Sequence, residues 1–591
     1  MGKKKKQSLL LKFLIWREQH ISQRTYFLIL SALVGLGGGL AALSLKTAVF
    51  YLHEKLLENK GFDEYNLLVF IYPVIGITLT FFFTRFVLRD KVKHSIASIL
   101  YAISKRNSLV KAHKIFSSII GGILTAGFGG SIGLESPIIS SGSAIGSNTG
   151  RWLKLSYKEV TLLLACGASG AISAIFHTPI AAIVFAIEVL LIDLTRFSLI
   201  PLLISSVSGA IVTNVFFKDE ILFEFVLKDH YHVNHTGFYI ILGILSGLAS
   251  VYFTRVFFKV DKIAAKISDL RKLLFGGIIL GVLLYLFPPL YGEGYEIIKA
   301  IFAQNYESVM ETNFPLHLEH SIWFFYSFFI SLLLLKVFAT SITIISGGIG
   351  GIIAPSLFTG AITGILLAHT LNVFGLNISE SNFALVGMAG VLSGVLHAPL
   401  TAIFLIAETT KGYELIVPLM LVSTIAFVTV KIFEPNSIFT VLLAKSGELI
   451  THHKDKAVLT FMKLKSVIEK DFTTIDVDAT LGDLVKVVSQ SNRNIFPVVD
   501  EEGILNGLIL MDNIREIMFD REMYDTPVTN LMILPPEYIS YKDSMKKVIE
   551  KFETTEAWNL PVIDNAKYVG MVSKSKLFSA YRNLLLEISD E

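Results

Sequence analysis

The chain has 591 residues, of which 52% are hydrophobic and 17% charged; the net charge is +3 and the mean hydropathy +0.61. That is too apolar for a water-soluble protein of this length, and the near-neutral balance gives no electrostatic ground for a nucleic-acid partner. The single cysteine, Cys166, excludes a disulfide framework.

Lys3, Lys4, Lys5, Lys6, Arg17 and Arg24 precede the first apolar run, residues 26–52. By the positive-inside rule the N-terminus is cytoplasmic. No small-residue cleavage site follows a short apolar stretch, so residues 1–25 are expected to be a cytoplasmic segment rather than a signal peptide. Uncharged runs follow at 66–84, 160–187, 197–217, 273–292, 337–379 and 415–430. Several can span about 30 Å of hydrocarbon. Others are broken by Gly and Pro, which predicts tilted or re-entrant helices whose freed backbone lines a cavity.

Two of these regions repeat one another. Gly129, Gly130, Gly133, Pro137, Gly142 and Gly146 recur at one constant offset as Gly347, Gly348, Gly351, Pro355, Gly360 and Gly364. Gly167, Gly170, Ser173, His177, Pro179, Ala182, Ile183 and Glu188 recur at a second, nearly equal offset, from Gly387 to Glu408. Duplicated halves with interrupted helices predict a transport site at the repeat interface. The first turn of a helix carries unpaired N–H groups and partial positive charge. Two such ends aimed at mid-membrane solvate an anion without a permanent cation, which would hold it too tightly for conduction. Close helix packing through small residues is the competing account of the glycines.

Glu135 is the one charge between residues 115 and 150. An acid at membrane depth is a functional candidate. At a helix start its carboxylate can occupy an anion's place and leave on protonation, so it is read as the gate. The repeat relates Glu188 to Glu408, which favours a structural or interfacial role for both. His177 and His397 are read as turn or helix-start residues, and no metal site is expected, because no second ligand stands four residues on. A membrane hydrolase, which would need a nucleophile elbow or a His-Glu-x-x-His helix, is not expected.

Residues 446–456 are polar, and from 457 to 591 short β-like runs alternate with charged amphipathic helices. This part is duplicated too: Pro497 and Asp500 match Pro561 and Asp564, and Gly507 matches Gly570. Each unit reads as helix, strand, turn, strand, helix, and resembles a CBS domain.

Residues 26–445 resemble the CLC family of chloride channels and proton-coupled chloride transporters. Gly133-Leu134-Glu135-Ser136-Pro137 stands where the family writes Gly-Lys/Arg-Glu-Gly-Pro, and Gly351-Ile352-Ile353-Ala354-Pro355 where it writes Gly-x-Phe-x-Pro. The run from His397 to Glu408 is also close to the family pattern. The resemblance implies an all-α polytopic membrane fold of two inverted repeats followed by a cytoplasmic α/β tandem CBS module, at about 457–520 and 525–585. It implies a homodimer in the lipid bilayer with one anion path per subunit. Gly133, Leu134, Ser136, Ile352 and Ile353 would line that path. The family's Gly-Ser-Gly-Ile-Pro loop falls on Lys93-His94-Ser95-Ile96-Ala97, so His94 or Ser95 takes the serine position. Its tyrosine falls on Phe439, which cannot donate a hydrogen bond. Its proton-relay glutamate falls on Val189, as in the family's channels.

The expectation is therefore passive, Glu135-gated chloride conduction without enzymatic activity or cofactor. A proton-coupled chloride or fluoride antiporter with another proton route is the alternative. A CBS-regulated cation channel would want several pore-facing acids, whereas this half offers one among glycines. In the CBS units the ribose-binding aspartates are missing: the positions read Leu510 to Asn513, with Asp512 one residue early, and Ser573 to Lys576. Weak adenine-nucleotide binding at best is expected. The short loops suit a bacterial plasma membrane, with both termini cytoplasmic.

Overall fold

The computed structural model describes residues 9–57, 67–89, 95–105, 107–216, 231–303, 322–410, 412–441, 462 and 464–589. They fall into two units, Met1–Leu449 and Ile450–Glu591. The linker expected at 446–456 lies outside the described residues, as does His94.

The first unit is helical. Its first half contains α1 (Leu9–His20), α2 (Gln23–Leu57), α3 (Leu67–Phe82), α4 (Ser95–Lys105), α5 (Lys114–Gly127), α6 (Glu135–Trp152), α7 (Tyr157–Phe176), α8 (Pro179–Glu188) and α9 (Arg196–Phe216). The second half contains α10 (Thr236–Ala264), α11 (Asp269–Leu286), α12 (Tyr295–Phe302), α13 (Ile322–Ile345), α14 (Ile353–Val373), α15 (Glu380–Leu396), α16 (Pro399–Thr409) and α17 (Ile416–Phe433). Among the described residues, eight helices are long and apolar enough to cross a membrane.

The sequence repeat is a structural repeat: α6 to α9 correspond to α14 to α17. The same local chemistry sets each boundary. Pro179 and Pro399 open α8 and α16 at the first helical position, where no N–H is needed. Pro137 and Pro355 fall in the first turns of α6 and α14, among the groups without an intrahelical partner. His177 and His397 both adopt φ 57°, ending α7 and α15 in the left-handed conformation that stops a helix. They are thus turn residues at helix ends.

The distal glycines pack helices. A Cβ on Gly142 would lie 2.2 Å from the Gly167 carbonyl oxygen, and one on Gly167 2.0 Å from that of Gly142. Gly360 and Gly387 repeat this closeness at 2.4 Å each way. Backbone against backbone leaves no room for any side chain, so α6 lies directly on α7 and α14 on α15. Around this contact Leu163, Leu164, Cys166, Ile362, Val386 and Met388 are completely buried.

The second unit holds two copies of a three-stranded sheet. In the first, β1 (Ile475–Asp476) runs parallel to β2 (Ile495–Val499), which is antiparallel to β3 (Leu505–Leu510). In the second, β4 (Ile539–Ser540), β5 (Asn559–Asp564) and β6 (Lys567–Ser573) repeat that order. Amphipathic helices at Leu481–Gln490 and Met545–Thr555 make the parallel crossovers. The leading strands β1 and β4 are additions to the expected pattern; two residues are too few to show a period. The copies are joined through the backbone: Glu469 and Met571 exchange hydrogen bonds of 2.8 and 2.9 Å, and Tyr568 N donates to Gly503 O at 2.9 Å.

Candidate functional site

Where the two halves of the membrane unit meet, Gly133 N donates to Gly351 O at 3.0 Å and Gly351 N to Gly133 O at 2.7 Å. The turns leading to this bridge are equivalent. Gly130 N bonds to Thr125 O at 2.9 Å, and Gly348 N to Thr343 O at 3.0 Å. The bridge holds the starts of α6 and α14 side by side.

Glu135 occupies the space the glycines leave. A Cβ on Gly133 would come within 2.0 Å of Glu135 Oε2, and one on Gly351 within 2.5 Å. These proximal glycines therefore cradle a carboxylate, whereas the distal ones pack helices. Glu135 Oε1 accepts from Ala354 N at 3.0 Å, in the first turn of α14. Its carboxylate so lies at the other half's helix start, where unpaired amides favour negative charge. Glu135 is 1% exposed, and its Oε2 has no hydrogen-bond partner of good geometry, although the Tyr295 hydroxyl interacts with the carboxyl group.

Beside the carboxylate lies a cavity. Ser136, Gly350, Gly351, Ile352 and Phe439 line it, with Ala97, Phe257, Phe258, Ile344 and Ile438. The structure thus gathers Ser136, Ile352 and Phe439 from three distant parts of the chain. No charged side chain is among these lining residues, so polarity comes from backbone and from Ser136. Gly133 and Leu134 belong to the bridge and the cap of α6, and Ile353 is the first residue of α14. Ser95 opens α4, whose Ala97 reaches the cavity. Val189 is 4% exposed at the end of α8 and presents no ionisable group.

Three residues were not singled out from the sequence. Glu293 and Tyr295 stand next to Glu135, and Lys336 stands next to Glu293. Glu293 Oε1 accepts from Leu134 N at 3.3 Å. Lys336 is completely buried and donates to Leu290 O at 3.1 Å and Gly292 O at 2.9 Å. The expectation of one acid among glycines is therefore corrected: Gly292 and Gly294 flank a second. Its loop lies far from α6 in the chain, and only tertiary contact brings the two together. The available signal was a carboxylate between two glycines at the edge of an apolar run.

Residues 129–133 also spell Gly-x-Ser-x-Gly, the pattern of a nucleophile elbow. Ser131 is buried and turns its hydroxyl to Leu290 O at 2.6 Å, which ties down the same loop rather than presenting a nucleophile. Among the described residues, no group of three or more His, Cys, Asp or Glu is placed to hold a metal ion.

In the second unit, Asp512 is exposed and pairs with Arg515 at 2.5 Å. Ser573 donates to Glu469 Oε1 at 2.5 Å and accepts from Lys576 N at 3.2 Å. The two candidate nucleotide contacts thus both have protein partners.

Helix starts from two repeated halves, aimed at one carboxylate-filled point beside an uncharged cavity, define a membrane anion transporter. The chain belongs to the voltage gated chloride channel (CLC) family, whose model matches residues 75–431, and CBS domain models match 464–520 and 528–583. It is 28% identical over 357 residues to a putative chloride channel protein ClcB-like of Ralstonia nicotianae, covering 58% of this chain and 77% of that one. It is 27% identical over 442 residues to the H(+)/Cl(-) exchange transporter ClcA of Yersinia pestis, covering 71% and 87%. Among solved structures it resembles a slow cyanobacterial Cl-/H+ antiporter, with 25% identity, a TM-score of 0.62 and coverage of 72% and 98%. A eukaryotic CLC transporter, 18% identical with a TM-score of 0.59, shares the fold over 96% of this chain and 99% of its own.

Proposed function

We propose that the protein exchanges chloride for protons, with Glu135 as the group that alternates between blocking the path and carrying a proton. The observation that carries this reading is the placement of Glu135: one oxygen on the Ala354 amide, the other buried between Gly133 and Gly351. A carboxylate held in the anion's own place must be displaced or neutralised at each passage, which links anion movement to protonation. Passive conduction, the simpler expectation, is less well supported, because relatives and a structural neighbour of this chain bear exchanger or antiporter names.

Val189 sets a condition on the mechanism. The relay glutamate of the family's exchangers is replaced by an alkyl group, and Glu188 next to it is engaged at the start of α16 by Leu400 N and Thr401 N. Protons then reach Glu135 through a water-filled route rather than a side-chain relay. Phe439 removes a hydroxyl donor from the cavity, so chloride is held there by backbone amides and by Ser136, and central affinity is low. Exposed apolar side chains on α8, α9, α16 and α17, among them Ile180, Leu203, Leu400 and Val417, suit a homodimer contact within the bilayer.

The test is reconstitution in liposomes with a chloride gradient and no pH gradient. Uphill proton movement driven by chloride is the expected result. Chloride flux without any proton movement overturns exchange and restores the passive reading.

A further inference from the structure

The loop before α12 is laced onto the start of α6. Ser131 Oγ donates to Leu290 O at 2.6 Å, Gly292 N to Gly129 O at 3.2 Å, and Leu134 N to Glu293 Oε1 at 3.3 Å. The last of these matters chemically. Leu134 caps α6, and its N–H is one of the donors that a helix start offers to an anion. Glu293 already occupies it. The two helix starts at the centre of the protein are therefore each filled by a carboxylate, Ala354 by Glu135 and Leu134 by Glu293.

The surroundings of Glu293 fit a group that changes its charge or position. Lys336, on α13, stands behind it. Its ammonium donates to two carbonyls of the same loop, and its Nζ would lie 3.3 Å from a Cβ on Gly294. Lys46 on α2 also acts on Glu293, with a charge opposite to that of Glu135 on α6. Tyr295 on α12 interacts with both carboxyl groups. By residue, Glu293 is half-buried while Glu135 is buried. Neither Glu293 nor Lys336 lines the Phe439 cavity.

We propose that Glu293 is a second carboxylate gate, in series with Glu135, which holds the Leu134 amide until an anion or a proton displaces it. This rests on the reading of the Glu135 site as the anion path, though not on proton coupling. With both carboxylates charged, an anion meets two like charges and two occupied donors; protonation of either removes one obstacle. Lys336 and Lys46 bring positive charge to Glu293 and Glu135 brings negative. The two carboxylates are therefore not equivalent, and flux responds to pH in two steps.

The experiment is initial chloride efflux from liposomes across a pH series, with the membrane potential clamped by potassium and valinomycin. The proteins are the parent, Glu135→Gln, Glu293→Gln and the double variant. Glutamine keeps an acceptor for Leu134 N but not the charge, so a merely structural cap would survive the change. The expected result is several-fold faster efflux for Glu293→Gln at neutral pH. Glu135→Gln should keep a residual pH dependence that the double variant loses. Parent-like flux and pH profile in Glu293→Gln, or a double variant as pH-dependent as Glu135→Gln, overturns the proposal. If Glu293→Gln does not fold, Glu293→Asp is read instead: it keeps the charge but falls short of Leu134 by one methylene, and efflux should again rise, parent-like flux being the overturning result. A Glu135→Gln protein indistinguishable from the parent would count against the Glu135 path itself, which Glu293→Gln leaves intact.

Discussion

Glu188 and Glu408 cap each other's helices across the repeat. Glu188, which ends α8, accepts from Leu400 N at 3.1 Å and Thr401 N at 2.8 Å; Glu408, in the last turn of α16, accepts from Ile180 N at 3.0 Å and Ala181 N at 2.8 Å. Each negative charge sits on the positive end of the partner helix. Replacing either by alanine should therefore cost about 1–2 kcal/mol, the value of a lost N-cap. Glu188 also accepts from Thr401 Oγ1 at 2.8 Å, so its loss should be modestly the greater, and thermal unfolding of the detergent-solubilised variants would show it. A much larger loss for one than for the other would refute their equivalence.

Glu135→Gln tests the gate. In the proposed gate the charged form holds the Ala354 amide and protonation frees it, so parent flux should rise as pH falls. The glutamine variant should lose the Glu135-dependent part of that rise while still transporting, because the cavity beside it is lined without any charged side chain. A well-folded Glu135→Gln protein with no flux would make the residue structural.

Phe439→Tyr should strengthen chloride binding. The ring already lines the cavity, and a tyrosine hydroxyl would add one donor there. One net hydrogen bond is worth about 1 kcal/mol, or roughly fivefold in affinity. Calorimetric titration of chloride into the purified variant measures it, and unchanged affinity would place the ring away from the bound ion.

The isolated module 457–591 should fold by itself but bind ATP or AMP weakly, if at all. Asp512 is paired with Arg515 and Ser573 with Glu469, which leaves neither poised for a ribose. Calorimetry giving micromolar affinity, about −8 kcal/mol, would show that another group serves.

Asp543 gives that module an acid-sensitive element. Partial burial pushes its carboxyl up, but Lys547 at 3.0 Å, the Ser540 N–H at 3.0 Å and Lys551 at 3.2 Å outweigh this and hold it below the usual value. A depressed carboxylate stabilises the fold above its unfolded pKa of about 3.9, and that contribution is lost as pH falls through the folded value. Asp543→Asn should lower stability at neutral pH and shrink the parent's loss in acid, as denaturant melts at several pH values would reveal. Equal acid sensitivity in both proteins would remove Asp543 as the cause.

The sequence by itself determined the architecture and marked Glu135 as an acid at a helix start. The constant spacings, from Gly133 to Gly351 and from Glu188 to Glu408, disclosed two halves. Glycines around Glu135 marked helix starts, because backbone turns and close approach restrict residue type locally. Tandem CBS units were legible for the same reason. Tertiary structure alone decided which glycines pack and which cradle: Gly142 meets Gly167, whereas Gly133 meets Glu135. It also decided that Glu293 stands at Leu134, and that Glu188 and Glu408 serve opposite halves. Periodicity and turn chemistry report on neighbours a few positions apart. Contacts made by the ends of side chains from opposite halves of the chain leave no such period, and folding alone brings them together.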